Sequence, residues 1–468
     1  MQHCLFGFIS VALLIGCSQS DIEWDEKLYN WEPPQHPYLA PNGRNNVHND
    51  AYMTDTYKGK GPEGDHLYLN FFEISRVFIT IVFDNQGRVL SLGIGGDSKR
   101  AAYLLTPDSL NVIDTFELPQ GTDLSVSGAG YFYLDHQERM VVPTTNKHIY
   151  HLKVDGNPPK FQLEKDYDLS NLPDPCHIIS VLPDWSGNLW FVTEEGIVGI
   201  ADLSGAPKIL QLKHNTGTNE VLESIKNSFA VDETGAVYVV SDYALYALIA
   251  DEQQSPEILW REEYDRGNRI KPGQFHQGSG TTPTLISDSY LAITDNAEPR
   301  MHVLVYKRER NIEGERLVCK MPVFSENASA TENSLIAFGN SVLVENNYGY
   351  TKKVADFVGK FTEPGMTHIG FESDKCNTST CYCSWSVNEV IPSIVSKVAL
   401  GNNIIYTYTK EPDGWYFTGL DLKTGQRKFQ TRVGGDEIRY NNHYSGIAIA
   451  SDGSAYVGCA GGIIRLSE

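Results

Sequence analysis

Residues 278–323 read GSGTTPTLISDSYLAITDNAEPRMHVLVYKRERNIEGERLVCKMPV. Four apolar runs are separated by three polar breaks, at Asp288-Ser289, residues 295–300 and residues 310–315. Short β-branched and aromatic runs bounded by Asp, Asn, Gly and Pro are strands of one antiparallel sheet. The unit recurs. Its first turn reappears as Asn85-Gln86-Gly87, His136-Gln137-Glu138, Trp185-Ser186-Gly187, Glu233-Thr234-Gly235, Phe338-Gly339-Asn340, Gly401-Asn402-Asn403 and Ser451-Asp452-Gly453. The spacing is about fifty residues, which is the period of a four-stranded propeller blade. The chain is therefore expected to be an all-β propeller of eight blades, with seven as the alternative. The last hairpin runs out at Leu466, so its missing outer strands are expected from residues 66–72, HLYLNFF. No long helical period lies between the strands; the nearest is residues 220–226, about two turns.

Composition narrows the partners. The chain has 468 residues, 41% hydrophobic and 21% charged, enough for a large core. The net charge of -21 argues against nucleic acid, whose phosphates it would repel. Residues 5–15, LFGFISVALLI, are too short to span a bilayer and read as the core of a secretory signal. The run ends in Leu14-Ile15-Gly16-Cys17, which resembles a bacterial lipobox, and Ser18 after it resembles outer-membrane lipoproteins. The resemblance implies lipidation of Cys17 and a periplasm-facing, lipid-anchored protein of the cell envelope. No Lys or Arg precedes Lys27, so a plain signal peptide or an upstream start stays an alternative. The expected division is signal 1–16, tether 17–40 and a single propeller domain 41–468.

Of eight cysteines, Cys4 would leave with the signal and Cys17 would carry the lipid, leaving six. An even number in an oxidising compartment points to disulfides. The cluster Cys376, Cys381, Cys383 is expected to hold one bridge, with Cys376 as one partner. Residues 41–57, PNGRNNVHNDAYMTDTY, are dense in Asn and show no period. They read either as a surface loop or as a segment laid across the body.

Propeller geometry sorts the polar residues. Residues before each first strand and after each second strand meet at one end of the central channel; the first turns lie at the other. The convergent end receives Asn227, Thr281, Asp295, Asn296, Asn333, Glu345, Asn346, Asn347, Tyr348, Lys410, Asn442 and His443, with His276 nearby. Such oxygen-rich groups suit a hard cation such as Ca²⁺.

Gly419-Leu420-Asp421-Leu422-Lys423-Thr424-Gly425-Gln426-Arg427-Lys428-Phe429 resembles the blade motif of pyrroloquinoline-quinone (PQQ) dehydrogenase-like propellers, Ala-x-Asp-x-x-Thr-Gly-x-x-x-Trp. Ala201-Asp202-Leu203-Ser204-Gly205 is a weaker copy. With HNDAYMTDTY, GSGTTPT, AITDNA, ATENSL, VENNYGY and NNHYSGIA, the chain from residue 41 resembles uncharacterised bacterial PQQ-like propeller-repeat proteins. The motif implies fold, not a bound quinone. Three roles follow for the convergent end. As a quinoprotein oxidoreductase, Lys410 with Trp415 or Tyr348 would hold the quinone and Asp295 would take the alcohol proton. As a Ca²⁺-dependent hydrolase of the lactonase or esterase kind, Asn227, Asp295, Asn333, Glu345 and Asn346 would be ligands and His443 or His276 the general base. As a scaffold, the ring would present a face to a protein partner. The first two imply a small-molecule ligand bound by residues such as Asn296, Asn347, Asn442 and Thr281.

Overall fold

The computed structural model describes residues 31–120, 130–350, 362–371 and 381–468. Cys17, Cys376 and the signal therefore lie outside the described residues. Eight four-stranded antiparallel sheets form the blades of a propeller. Blade 1 is Arg76–Phe83, Val89–Gly95, Arg100–Leu105 and Val112–Glu117, from the axis outward. The inner strands of blades 2 to 7 are Tyr133–Leu134, Ile178–Pro183, Ala230–Val231, Thr284–Ile286, Ile336–Phe338 and Lys397–Ala399. Blade 8 takes Ile447–Ile449, Ala455–Cys459 and Gly462–Ser467 from the end of the chain. Its fourth strand, Tyr68–Glu73, pairs antiparallel with Gly462–Ser467 from Tyr68 opposite Ser467 to Glu73 opposite Gly462. Both chain ends thus close the ring, and eight blades rather than seven result.

The turns explain the repeat. In blades 1 to 4 the inner strand ends in an Asp whose Oδ1 accepts two backbone N–H groups across the turn. Asp84 takes Gln86 and Arg88, Asp135 takes Gln137 and Arg139, Asp184 takes Ser186 and Asn188, and Asp232 takes Thr234 and Ala236. The fourth residue of each turn is left-handed, from Glu138 at φ 61° to Gly187 at φ 89°. The blade motif acts the same way further out: Asp421 Oδ1 accepts from the Lys423 and Thr424 N–H groups, and Gly425 has φ 70°. Gly419 lies under Phe429, whose ring would be 2.2 Å from any Cβ there.

The core lies between blades. One apolar cluster joins blades 1 and 2, another spans 2 to 5, and further ones join 5 with 6, 6 through 8, and 8 with 1. Burial is therefore continuous around the ring. Cys319 and Cys381, on the outer strands of blades 5 and 6, form a disulfide, and Cys383 is also disulfide-bonded. Cys381 thus pairs outside its own cluster. Cys176 and Cys459 are free and buried. Residues 220–226 are not helical: Lys213–Asn215 and Glu220–Leu222 form an external hairpin between blades 3 and 4.

Candidate functional site

Each inner strand is a sheet edge, and its N–H groups need acceptors. At the turn end of the channel these come from residues 39–59. Phe83, Leu134, Val231, Leu285, Ala337, Val398 and Leu400 donate their N–H groups to the carbonyls of Arg44, Asn45, Ala51, Tyr52, Thr54, Asp55 and Tyr57. Thr56–Tyr57 pairs parallel with Lys397–Ala399. His36 and Tyr38 reach blade 3 through Trp185 and Gly187, and Ile449 of blade 8 donates to the Tyr57 hydroxyl. The chain from His36 to Gly59 is therefore a ring inside the ring, touching all eight blades. The chain assigned to the tether already contacts the disc at Trp31, whose Nε1 donates to Asp288.

This segment carries charge into the axis. Asp55 is fully buried, with His48 Nδ1 at 2.9 Å and the buried Lys397 ammonium against it. Lys397 also donates to the Val47 carbonyl. Glu345 lies close by; its Oε2 accepts from Asn333 Nδ2 at 2.5 Å. Burial pushes the Glu345 carboxyl up to about 7, and the charge of Asp55 adds to this. Burial likewise pushes Asp50 up to about 7, against hydrogen bonds from Thr54. Lys397 is lowered by burial, which Asp55 partly offsets.

The convergent end is crossed by the loop 264–283 between blades 4 and 5. Lys271 Nζ donates to Ala297 O at 2.7 Å, the Gly349 N–H to Pro272 O at 2.9 Å, and the Tyr444 hydroxyl to Gly273 O at 2.8 Å. Tyr444 belongs to blade 8, opposite blade 4, so the loop spans the mouth. Gly273, at φ 105°, is needed there: a Cβ would lie 2.4 Å from Asn347 O.

The polar residues expected to converge mostly hold this loopwork. Asp295 accepts from the His302 N–H at 2.6 Å and faces His302 Nδ1 at 2.8 Å. Asn296 Nδ2 donates to the Arg266 and Arg269 carbonyls, and Asn346 Nδ2 to Ala328 O. Asn347 Oδ1 accepts from the Glu332 N–H, and Asn442 Nδ2 donates to Gly458 O. Thr281 Oγ1 accepts from the Thr294 N–H, and Asn227 Nδ2 donates to Ser279 O at 3.4 Å. Lys410 donates to Asp436 and to Glu411 O on blade 7. Half-buried Tyr348 bonds Arg269. His443 faces the Tyr350 hydroxyl at 3.4 Å, and burial lowers its pKa to about 4. Of the expected set, the structure brings Asn333 and Glu345 into contact at the axis. It gives Asp295, Lys410 and Asn227 other partners. Among the described residues no three His, Cys, Asp or Glu side chains are grouped to hold a metal ion.

An open cleft lies at the other end, the one with the tight turns. Its volume is about 560 Å³. Arg44, Tyr57 and Lys58 come from the inner ring and Lys60 from just beyond it, Asp84, Asn85 and Gly87 from the first turn of blade 1, and Ile449 to Ser451 from blade 8. Glu32 reaches in from the tether and pairs with Lys58. Arg44 is fixed by two bonds to Glu138, at 2.6 and 2.9 Å. Sequence reasoning missed this cleft because its basic residues lie in a stretch without periodicity.

No protein-family profile matches the chain. An uncharacterized protein of Archaeoglobus fulgidus is 25% identical over 472 residues, covering 93% of this chain and 89% of the relative. Among solved structures, quinohaemoprotein alcohol dehydrogenase from Comamonas testosteroni matches 94% of this chain and 82% of its own, at 12% identity and a TM-score of 0.55. Streptogramin B lyase matches 86% of this chain and 97% of its own, at 14% identity and a TM-score of 0.43. The dehydrogenase shares the propeller fold; at this identity the likeness extends no further. The residues here do not fit a quinone. Residues 44–57 fill the turn-end half of the axis, a loop crosses the other end, and Lys410 and Asp295 are held by Asp436 and His302.

Proposed function

We propose that this protein is an envelope-anchored propeller that binds a small polar ligand in the cleft at the turn end of its channel. The observation that carries this reading is the cleft itself. About 560 Å³ falls within the size range of small-molecule sites. Its walls offer Lys58 and Lys60, which would match a negative group on a ligand, together with the Tyr57 ring and Asn85. Binding is preferred to turnover because the side chains best suited to acid–base or electrophilic roles are each engaged in packing the loops. Anchoring is supported by the apolar run before Cys17, and export by the Cys319–Cys381 disulfide, a bond of oxidising compartments.

The test is native mass spectrometry of protein purified from its own host's membranes, with Ser451→Trp as the cleft-filling variant. The parent should carry a small-molecule adduct that Ser451→Trp lacks at unchanged melting temperature. An adduct retained in the variant, or none in either, refutes the cleft as the site. For the anchor, Cys17→Ala should move the protein from the membrane to the soluble fraction.

A further inference from the structure

The molecule has two unlike faces. We infer that the turn-end rim of blades 8, 1, 2, 3 and 4 is a docking surface for a zwitterionic phospholipid bilayer. The inference rests on the lipid anchor proposed above.

Among the described residues, exposed large apolar side chains are unevenly placed. Every outer strand begins at the turn end. Tyr68, 72% exposed, and Leu69 open the outer strand of blade 8, and Val112 opens that of blade 1. Leu163 is the fourth residue of the outer strand of blade 2. On blade 3, Leu203, 53% exposed, sits in the turn and Ile209 is the second strand residue; on blade 4, Ile258 is the third. Five consecutive blades thus share an apolar fringe on the turn-end half of their outer strands; four such side chains lie at the opposite end, Val221 and Leu222 on the external hairpin and Ile270 and Phe275 on the loop across the mouth. The described outer strands of blades 5 to 7 show none. Single exposed apolar residues need no explanation, but an extended fringe marks a contact surface.

The chain's own path says what covers it. The described chain begins at Trp31, against the blade 5 turn, on this same face. Fourteen Cα–Cα steps lead from Cys17 to Trp31, a reach of at most about 50 Å. Laying the opposite face on the bilayer would require the chain to cross to the rim and then descend a blade. A blade strand of eight residues alone is about 27 Å long. The tether therefore favours the turn end facing the membrane, with the fringe at headgroup level. Headgroup charge follows from the same turns. They carry Asp108, Asp155 and Asp202 beside the exposed Lys160 and Lys208, a mixture of both signs that suits a headgroup bearing both, and the net charge of -21 repels an anionic surface.

The experiment uses the full chain reconstituted in phosphatidylcholine vesicles spin-labelled at the headgroup, with Leu203→Trp and Ile270→Trp compared against the parent. Ile270 is exposed on the loop at the opposite face. The emission added by Leu203→Trp should be quenched at least twofold, and that added by Ile270→Trp should not. Equal quenching, the reverse order, or none in either overturns the inference. Mass analysis of the N-terminal peptide reads the anchor separately. If Cys17 bears no lipid, flotation with the same vesicles decides. Flotation lost in a Leu203→Asp/Ile209→Asp variant supports the docking face, and no flotation by the parent overturns it. Flotation should weaken severalfold when a third of the lipid is made anionic; strengthening instead would refute the zwitterionic assignment.

Discussion

Single residues at the turns do more than punctuate. Asp184 accepts from two backbone N–H groups with Oδ1, while Oδ2 takes the Asn188 amide and the buried Trp190 indole at 2.8 and 2.9 Å. Asp184→Ala would leave the indole donor unpaired inside the blade, at a cost of about 2–4 kcal/mol. Urea unfolding of that variant should show this, with Asp184→Asn between the two; an unchanged midpoint would contradict the clamp. The turn triplets were legible because Gly and Asn mark left-handed positions. The Asp one residue earlier is equally informative in retrospect, since it closes each turn in blades 1 to 4. What the sequence hides is direction. Asp295, Asn296 and Asn347 have the composition of ligands, yet each serves backbone groups within a few ångströms. Nothing in residue type distinguishes an amide that pins a loop from one that binds a solute.

The inner ring is the element least readable from the chain. Residues 39–59 have no period because only Thr56–Tyr57 joins a sheet, and the order of the rest is imposed by the inner-strand N–H groups they meet. That information sits in seven other parts of the sequence, one in each blade but the third. The ring brings Asp50, Asp55 and His48 against Lys397 and Glu345, and two consequences can be measured. Lys397→Met would leave Asp55 buried without its ammonium, which should cost about 3–5 kcal/mol; adding Asp55→Asn should recover a large part. Failure of the second change to rescue the first would deny the pairing. Glu345 and Asp50 make an opposite kind of contribution. Each is an acid raised to about 7 on folding, so folding takes up protons. Neither imposes a penalty below the ordinary carboxylate range, and the penalty grows from there until pH passes about 7. These groups therefore lower stability between pH 4 and 7. Glu345→Gln should gain about 2–3 kcal/mol at pH 8 and almost nothing at pH 4. Equal shifts at both pH values would mean that Glu345 does not titrate in this window.

At the scale of the molecule, the repeat period alone predicted eight blades and the closing strand, because each blade is a local unit and ring closure is a counting problem. The filling of the axis was not predictable in the same way, since it depends on a segment with no counterpart in the repeats. The ring also implies an asymmetry in what the protein tolerates. Gly462–Ser467 pairs on one side with Ala455–Cys459 and on the other with Tyr68–Glu73, and it contributes Ile463, Ile464 and Leu466 to clusters reaching blades 1 and 7. The strands of the external hairpin Lys213–Asn215 and Glu220–Leu222 pair only with each other, the hairpin meets blade 4 through the partly exposed His214 against Tyr243 and Arg261, and its ends already meet, since the Glu223 N–H donates to Leu212 O at 3.2 Å. Removing ten residues there, 213–222, with Leu212 joined to Glu223 by a short Gly-Ser link, should shift the melting temperature by no more than about 3 °C. Ending the chain at Gly461 removes fewer residues but opens the ring at its seam. Both neighbouring strands are left with unpaired edges, and apolar surface is exposed on either side. The truncated protein should lose its single sharp calorimetric transition and bind a hydrophobic dye. If both deletions melted alike, closure by the two chain ends would not be what holds the eight blades together.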